Sequence, residues 1–297
     1  MSRRLAWARS VVTTDVGLQV FAAGDGPVVV MVHGWPDTHE LWTGVAALLA
    51  PRFRVVAYDT RGMGESGHPG ADGGFTLERL AEDLRAVVDA VSPDAPVHLL
   101  AHDWGSIQAW EAVCEPWAED RIASFTSISG PNLDHVGRWV RRSVRPPTPR
   151  SVARLLRQAA ASSYVPLFLT PLGPRLLRAL FPSRERWERF LEVTEGIRPG
   201  GHHAETLPYD MVHGLAYYRA NRSRVARPRE RQTRIPVLLL VPTRDRAVRN
   251  VSYDETPRWA SDVRRRDVPS GHWVVLDRPD LVADEVFRFV DRLSEPS

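Results

Sequence analysis

Residues 97–106 read V-H-L-L-A-H-D-W-G-S. The apolar run at 97–101 has the make-up of a short buried strand, and a helical pattern resumes near Ser106. The chain therefore has to turn abruptly at Asp103. Small residues flank it at Ala101, Gly105 and Ser106. A sharp turn of this kind strains the central residue, and larger side chains around it would collide with the adjoining helix or strand. An aspartate heading a helix is commonly no more than an N-cap. Held at the tip of a buried strand by small neighbours, it is better read as a nucleophile. A carboxylate needs no base to remove a proton, and it can attack an electrophilic sp³ carbon to give an alkyl ester.

Working outward, the 297 residues suffice for one large α/β domain with an insertion. Hydrophobic (43%) and charged (25%) fractions are those of an ordinary globular chain. No apolar run approaches the ~20 residues of a membrane helix. M-S-R-R-L-A-W-A-R-S at the start has positive charge but no apolar stretch behind it, so no secretory signal is expected. A single cysteine, Cys114, excludes an internal disulfide and fits a reducing compartment, with the cytoplasm as the expected location. Lysine is absent, and all 39 basic residues are arginine. Between 131 and 234 there are 20 arginines against 8 acidic residues. No nucleic-acid-binding motif accompanies this excess, which is read as a solvated surface.

Residues 11–14 and 18–23 predict a hairpin around Asp15-Val16-Gly17. Strands follow at 28–32, 54–58, 97–101 and 122–129, with helices at 41–49, 77–91 and 107–113. From Pro131 the texture changes to Arg- and Pro-rich helical patches at 151–161, 174–180, 184–193 and 211–221. Strand texture returns at 236–241 and 263–268, and an amphipathic helix at 280–293 closes the chain. Alternating strands and helices argue for a mostly parallel sheet covered on both faces. The expected division is a core of 1–130 with 235–297 and a helical cap at 131–234. Active sites of such sheets lie beyond the carboxyl ends of the strands, and His33-Gly34-Trp35-Pro36, Asp103, Asp245 and His272 all fall there.

The motifs H-G-W-P, D-T-R-G-M-G-E-S, A-H-D-W-G-S, the aspartate of T-R-D-R-A-V, and G-H-W occur in an order that resembles an epoxide hydrolase of the α/β-hydrolase superfamily. The resemblance extends over nearly the whole chain. It implies the α/β-hydrolase fold, a mostly parallel central sheet with helices on both faces and an inserted helical cap. It also implies that Asp103 is the nucleophile, that His272 activates water and that Asp245 orients His272. The backbone N–H groups of Trp35 and Trp104 would form the oxyanion hole, and a cis peptide is implied at Trp35–Pro36. Two cap tyrosines hold the epoxide oxygen in that family. S-Y-V-P-L-F matches the first at Tyr164 and A-Y-Y-R the second at Tyr218, with Tyr217 its neighbour and rival. Phe168, Trp35 and Trp104 are the expected substrate contacts. His33 and His102 are read as structural, as are Asp59 and Arg61 in the D-T-R-G loop, and His202-His203 as cap surface.

The expected reaction converts a small apolar or aryl epoxide to a vicinal diol without a cofactor or metal, in a monomer or homodimer, with no nucleic-acid partner and no membrane insertion. One alternative is a haloalkane dehalogenase, which shares the Asp nucleophile but commonly holds halide with an Asn or Trp pair. A non-catalytic ligand-binding protein on the hydrolase fold is another. The second half also resembles hydrolase modules that in some proteins are fused to a short-chain dehydrogenase. No Rossmann pattern occurs in these residues, so no such module is expected.

Overall fold

A computed structural model describes residues 5–70, 72–200 and 202–295. The first four residues, part of the stretch read above for a targeting signal, lie outside them. Eight strands form one sheet: β1 (Ala8–Thr13), β2 (Gly17–Ala23), β3 (Val28–Val32), β4 (Arg54–Tyr58), β5 (Val97–His102), β6 (Ile122–Ile128), β7 (Val237–Pro242) and β8 (Val263–Val268). Their order is β1-β2-β4-β3-β5-β6-β7-β8. β1 pairs antiparallel with β2, and β2 with β4, while every pair from β4 to β8 is parallel.

The β-branched run of β3 explains its central place, because a strand buried on both faces needs apolar side chains on each. Val28, Val30 and Val32 point to one face and Val29 and Met31 to the other. On the second face lie α1 (Thr43–Leu49) and, at the chain's end, a helix at Pro279–Ser294 that contributes Val282, Val286 and Phe289. The first face is covered by α2 (Leu77–Val91) and α3 (Trp104–Ala112), through Leu84, Val88, Ala109 and Trp110. The edge strand β8 reads V-R-R-R-D-V, and its charges discourage pairing with another chain.

A short helix α4 (Ala118–Arg121) precedes β6. Between β6 and β7 the chain forms α5 (Leu133–Ser143), α6 (Pro149–Ala161), α7 (Val165–Phe168), α8 (Leu172–Leu180), α9 (Arg184–Glu195), α10 (Leu207–His213) and α11 (Leu215–Ala220). After β8 come α12 (Val274–Asp277) and α13 (Pro279–Ser294). Two expected helices are divided. The periodicity at 41–49 begins with a 3-10 turn at His39–Trp42, and that at 211–221 breaks at Gly214. There a Cβ would come within 2.4 Å of the Trp35 ring, so close contact with Trp35 requires glycine.

The inserted helices join the strand ends through a shared apolar cluster that includes Trp104, Ile107, Phe168, Leu191, Met211 and Tyr218. His203 departs from the surface position expected of it: it is 2% exposed, wedged between Asp37 and Glu188. The arginine excess is also not uniformly solvated. Arg224, Arg229 and Arg231 converge on the buried Glu111.

Candidate active site

Asp103 sits where β5 gives way to α3, with φ 50° and ψ −126°. Its side chain makes no capping bond to α3, so the helix-cap reading does not describe it. The strained turn survives because its neighbours leave no alternative. A Cβ on Gly105 would lie 2.2 Å from the Val32 carbonyl oxygen, and one on Gly34 would lie 2.4 Å from Asp103 Oδ1. The turn presents the carboxylate to the space beyond the strand ends. There the Trp35 backbone N–H donates to Asp103 Oδ1 at 2.8 Å. The Gly34 position also lies close to the Trp104 amide nitrogen. The Trp35–Pro36 peptide is cis.

His272 follows β8. Its Nε2 is 3.6 Å from Asp103 Oδ2, and its Nδ1 is 2.9 Å from Asp245 Oδ2. Asp245, beyond β7, accepts from the Ala247 and Val248 amides through its other oxygen, at 2.8 and 2.9 Å. Burial alone would lift the Asp245 carboxyl, but His272 and the two amides hold it below the ordinary range. Burial would likewise depress His272, yet Asp245 and Asp103 override it and hold the imidazole well above its usual value. His272 thus lies between the side chains of Asp103 and Asp245, a setting that favours its protonated form.

Tyr164, at the start of α7, and Tyr218, in α11, have ring centroids 6.2 Å apart and line the same space as Asp103. Burial raises both phenols, so they are protonated donors. Tyr217 points elsewhere. Its hydroxyl lies 2.8 Å from Thr60 Oγ1 and donates to the Arg61 carbonyl at 2.9 Å. The space around Asp103 forms two chambers, of about 290 and 390 Å³, with Asp103, Tyr164 and Tyr218 common to both. The first is walled by Trp35, Phe168, Trp187 and Trp273, the second by Trp104, Trp139 and Leu155.

The residues read as structural are occupied in the frame. His33 Nδ1 lies 2.9 Å from the Gly34 carbonyl, and its Nε2 accepts from the Thr60 amide. His102 Nε2 contacts the His272 carbonyl at 3.0 Å. Asp59 accepts from His39 and Glu65, and Arg61 pairs with Asp83 and Asp15.

Two carboxylates were not anticipated from the sequence. Glu195, at the end of α9, accepts the His272 backbone N–H at 3.0 Å, and no motif marks it. Asp37, directly after H-G-W-P, is 2% exposed and accepts from Trp273 Nε1 at 3.1 Å. Burial pushes its carboxyl up to about 7. Its only advance signal was its place next to a motif.

Fold and site together define a class. Residues 27–279 match the α/β hydrolase fold family, and the chain belongs to it. Over 277 residues it is 42% identical to a Mycobacterium tuberculosis protein named "Probable oxidoreductase EphD", a match covering 90% of this chain and 46% of that relative. The chain thus spans about half the length of the curated relative it matches. "Epoxide hydrolase A" of the same organism is 35% identical over 128 residues, which are 42% of this chain and 39% of the relative. Among solved structures, an epoxide hydrolase from Bacillus megaterium in complex with an inhibitor superimposes with a TM-score of 0.77 at 18% identity, covering 95% of this chain and all of that one. No helix among the described residues is long and apolar enough to cross a membrane.

Proposed function

We propose that the protein hydrolyses epoxides to vicinal diols through an ester on Asp103. The observation that carries this reading is a carboxylate and a phenol pair lining one chamber, with His272 3.6 Å from the carboxylate. In the first step Asp103 attacks an epoxide carbon and the C–O bond breaks. The nascent alkoxide takes a proton from Tyr164 or Tyr218, and the resting imidazolium returns one to the phenol. The ester has now removed one of the two negative charges beside His272, so the imidazole is a neutral base when it is needed. It deprotonates a water, and the hydroxide attacks the Asp103 carbonyl. The resulting oxyanion is met by the amides of Trp35 and Trp104. Acyl–oxygen cleavage releases the diol, whose oxygen takes the acid proton left on Asp103, and His272 is again protonated.

The helices between β6 and β7 act in this scheme as a cap, since they supply both tyrosines and roof both chambers. Halide displacement is less well served. The Trp35 indole N–H, which a halide would need, donates to the Met211 carbonyl at 2.9 Å. Aromatic walls suit an apolar or aryl substrate.

Intact-mass measurement of a His272→Gln variant tests the scheme, with styrene oxide and 1-bromobutane in separate incubations. The expected adduct has the mass of the whole epoxide and is absent when Asp103→Asn is added. An alkyl adduct from the bromide alone would overturn the reading in favour of dehalogenation. No adduct across a panel of aryl and alkyl epoxides would leave a ligand-binding protein.

A further inference from the structure

Between α6 and the loop after β7 lies a surface cleft of about 1170 Å³. Arg150, Arg154 and Arg157 line it from the helix, and Arg244, Arg246 and Arg249 from the loop. No carboxylate is among its lining residues. In a chain without lysine, arginine as such is no signal. Its pairing is informative. Arg224, Arg229 and Arg231 on the same helical layer are matched by Glu78, Glu111 and Glu115. In the cleft, Arg154 pairs with Asp254 and Arg244 donates to the Pro269 carbonyl. The guanidinium groups of Arg150, Arg157, Arg246 and Arg249 make no hydrogen bond or ion pair among the described residues. Arg246 is within electrostatic reach of Glu195, which leaves three unmatched cations, Arg150, Arg157 and Arg249, in one concavity; they repel one another and attract a multiply charged anion.

The cleft adjoins the reacting centre. Arg246 follows Asp245 in the chain and lines both the cleft and the chamber that holds Asp103 and His272. A ligand could therefore have its charged end among the arginines and its apolar end at the carboxylate.

We propose that the cleft binds a phosphate ester carried by the substrate, so that the substrate class is an apolar epoxide with a phosphate-bearing headgroup. The proposal rests on the epoxide-opening reading above. Guanidinium forks match phosphate oxygens two at a time. A phosphate monoester brings a charge of about −1.5 to −2 at neutral pH, closer to the unmatched charge than a single carboxylate does. The concave shape suits a small headgroup rather than a flat bilayer.

The test compares 10,11-epoxyundecyl phosphate with 10,11-epoxyundecan-1-ol, for the wild type and for an Arg150→Ser/Arg157→Ser/Arg249→Ser variant. At low salt the phosphate should show a KM at least about tenfold lower than the alcohol, corresponding to one good charge-assisted contact. Added NaCl should erode that advantage, and the triple variant should lose it while its kinetics with the alcohol stay unchanged. Equal KM values for the two epoxides in the wild type would overturn the proposal. So would a phosphate preference that survives the triple change, or arginine-dependent binding to phosphatidylglycerol vesicles without any phosphate preference in turnover. Calorimetric titration of the Asp103→Asn protein with decyl phosphate separates the two readings, since it needs no epoxide chemistry. If neither epoxide is turned over, decyl phosphate binding that the triple change abolishes upholds the phosphate site and places the failure in the hydrolase reading. No decyl phosphate binding in that case overturns the site as well.

Discussion

Adjacent tyrosines with opposite surroundings permit a crossed experiment. The Tyr217 hydroxyl is buried between Thr60 and the Arg61 carbonyl, at 2.8 and 2.9 Å. Tyr217→Phe strands those two groups without water, which costs about 1–3 kcal/mol of stability. At roughly 2–4 °C per kcal/mol for a domain approaching this size, Tm should fall by several degrees. Turnover should stay within about threefold, because the lost hydroxyl faces the loop at Thr60 and not Asp103. Tyr218 lines the chamber with Asp103, and its hydroxyl is hydrogen-bonded to Trp104 and Tyr164, so Tyr218→Phe should also lower Tm and is told apart by its effect on turnover. It removes one donor from the oxygen on which charge develops, an effect of roughly 10²–10³ in kcat for preorganised donors of this type. Initial rates of diol formation from styrene oxide and a calorimetric melt read both effects. In a His272→Gln background, Tyr218→Phe should slow the appearance of the Asp103 ester, which places the defect in ring opening. A hundredfold loss of turnover in Tyr217→Phe, with wild-type rates in Tyr218→Phe, would refute the assignment and the proton path built on it.

Three further outcomes are expected. The His272 imidazole, followed by NMR, should titrate at lower pH in Asp103→Asn than in the wild type, because one of the two carboxylates that hold its proton is gone; an unmoved titration would break the charge coupling used in the mechanism. Gly105→Ala drives a methyl group to 2.2 Å from the Val32 carbonyl, where no flexible side chain can yield. It should lower the urea midpoint by the equivalent of about 1–3 kcal/mol or more and abolish activity, whereas an unchanged midpoint would mean that the turn is less tightly held than described. Asp37 has its folded carboxyl raised to about 7 against an ordinary 3.8, so the native state keeps a proton that the unfolded chain has lost. That stabilisation is complete below pH about 4 and disappears as pH rises through 7, a span of up to about 4 kcal/mol. Asn cannot ionise, so urea titrations at pH 5 and pH 8 should show a steeper loss in the wild type than in Asp37→Asn, and parallel losses would refute the assignment.

The parts that were legible in the sequence are those whose cause is local. A strand, a forced turn and small neighbours place Asp103 whatever the rest of the chain does. The positions of Asp245 and His272 beyond their strands follow from the parallel sheet. Tyr164 and Tyr218 were legible only by resemblance, since nothing in A-Y-Y-R determines which ring faces inward. The structure separates Tyr217 from Tyr218 through the hydroxyl partners at Thr60 and Arg61. His203 illustrates the limit. Two adjacent histidines in a Gly-rich stretch carry no periodicity, and burial came from Asp37 and Glu188, 166 and 15 residues away in the chain. Glu195 was hidden for the same reason: its partner is a backbone N–H, 77 residues distant, which leaves no trace in side-chain pattern. The break at Gly214 is set by a Trp35 contact that a helical wheel does not contain.

The bond from Glu195 to the His272 amide has a counterpart in the bond from the Trp35 indole to the Met211 carbonyl. Each fastens an inserted helix to a loop that carries one half of the chemistry. The placement of the His272 loop and of the Trp35 side chain is thus fixed from the inserted helices as well as from the strand ends that carry them.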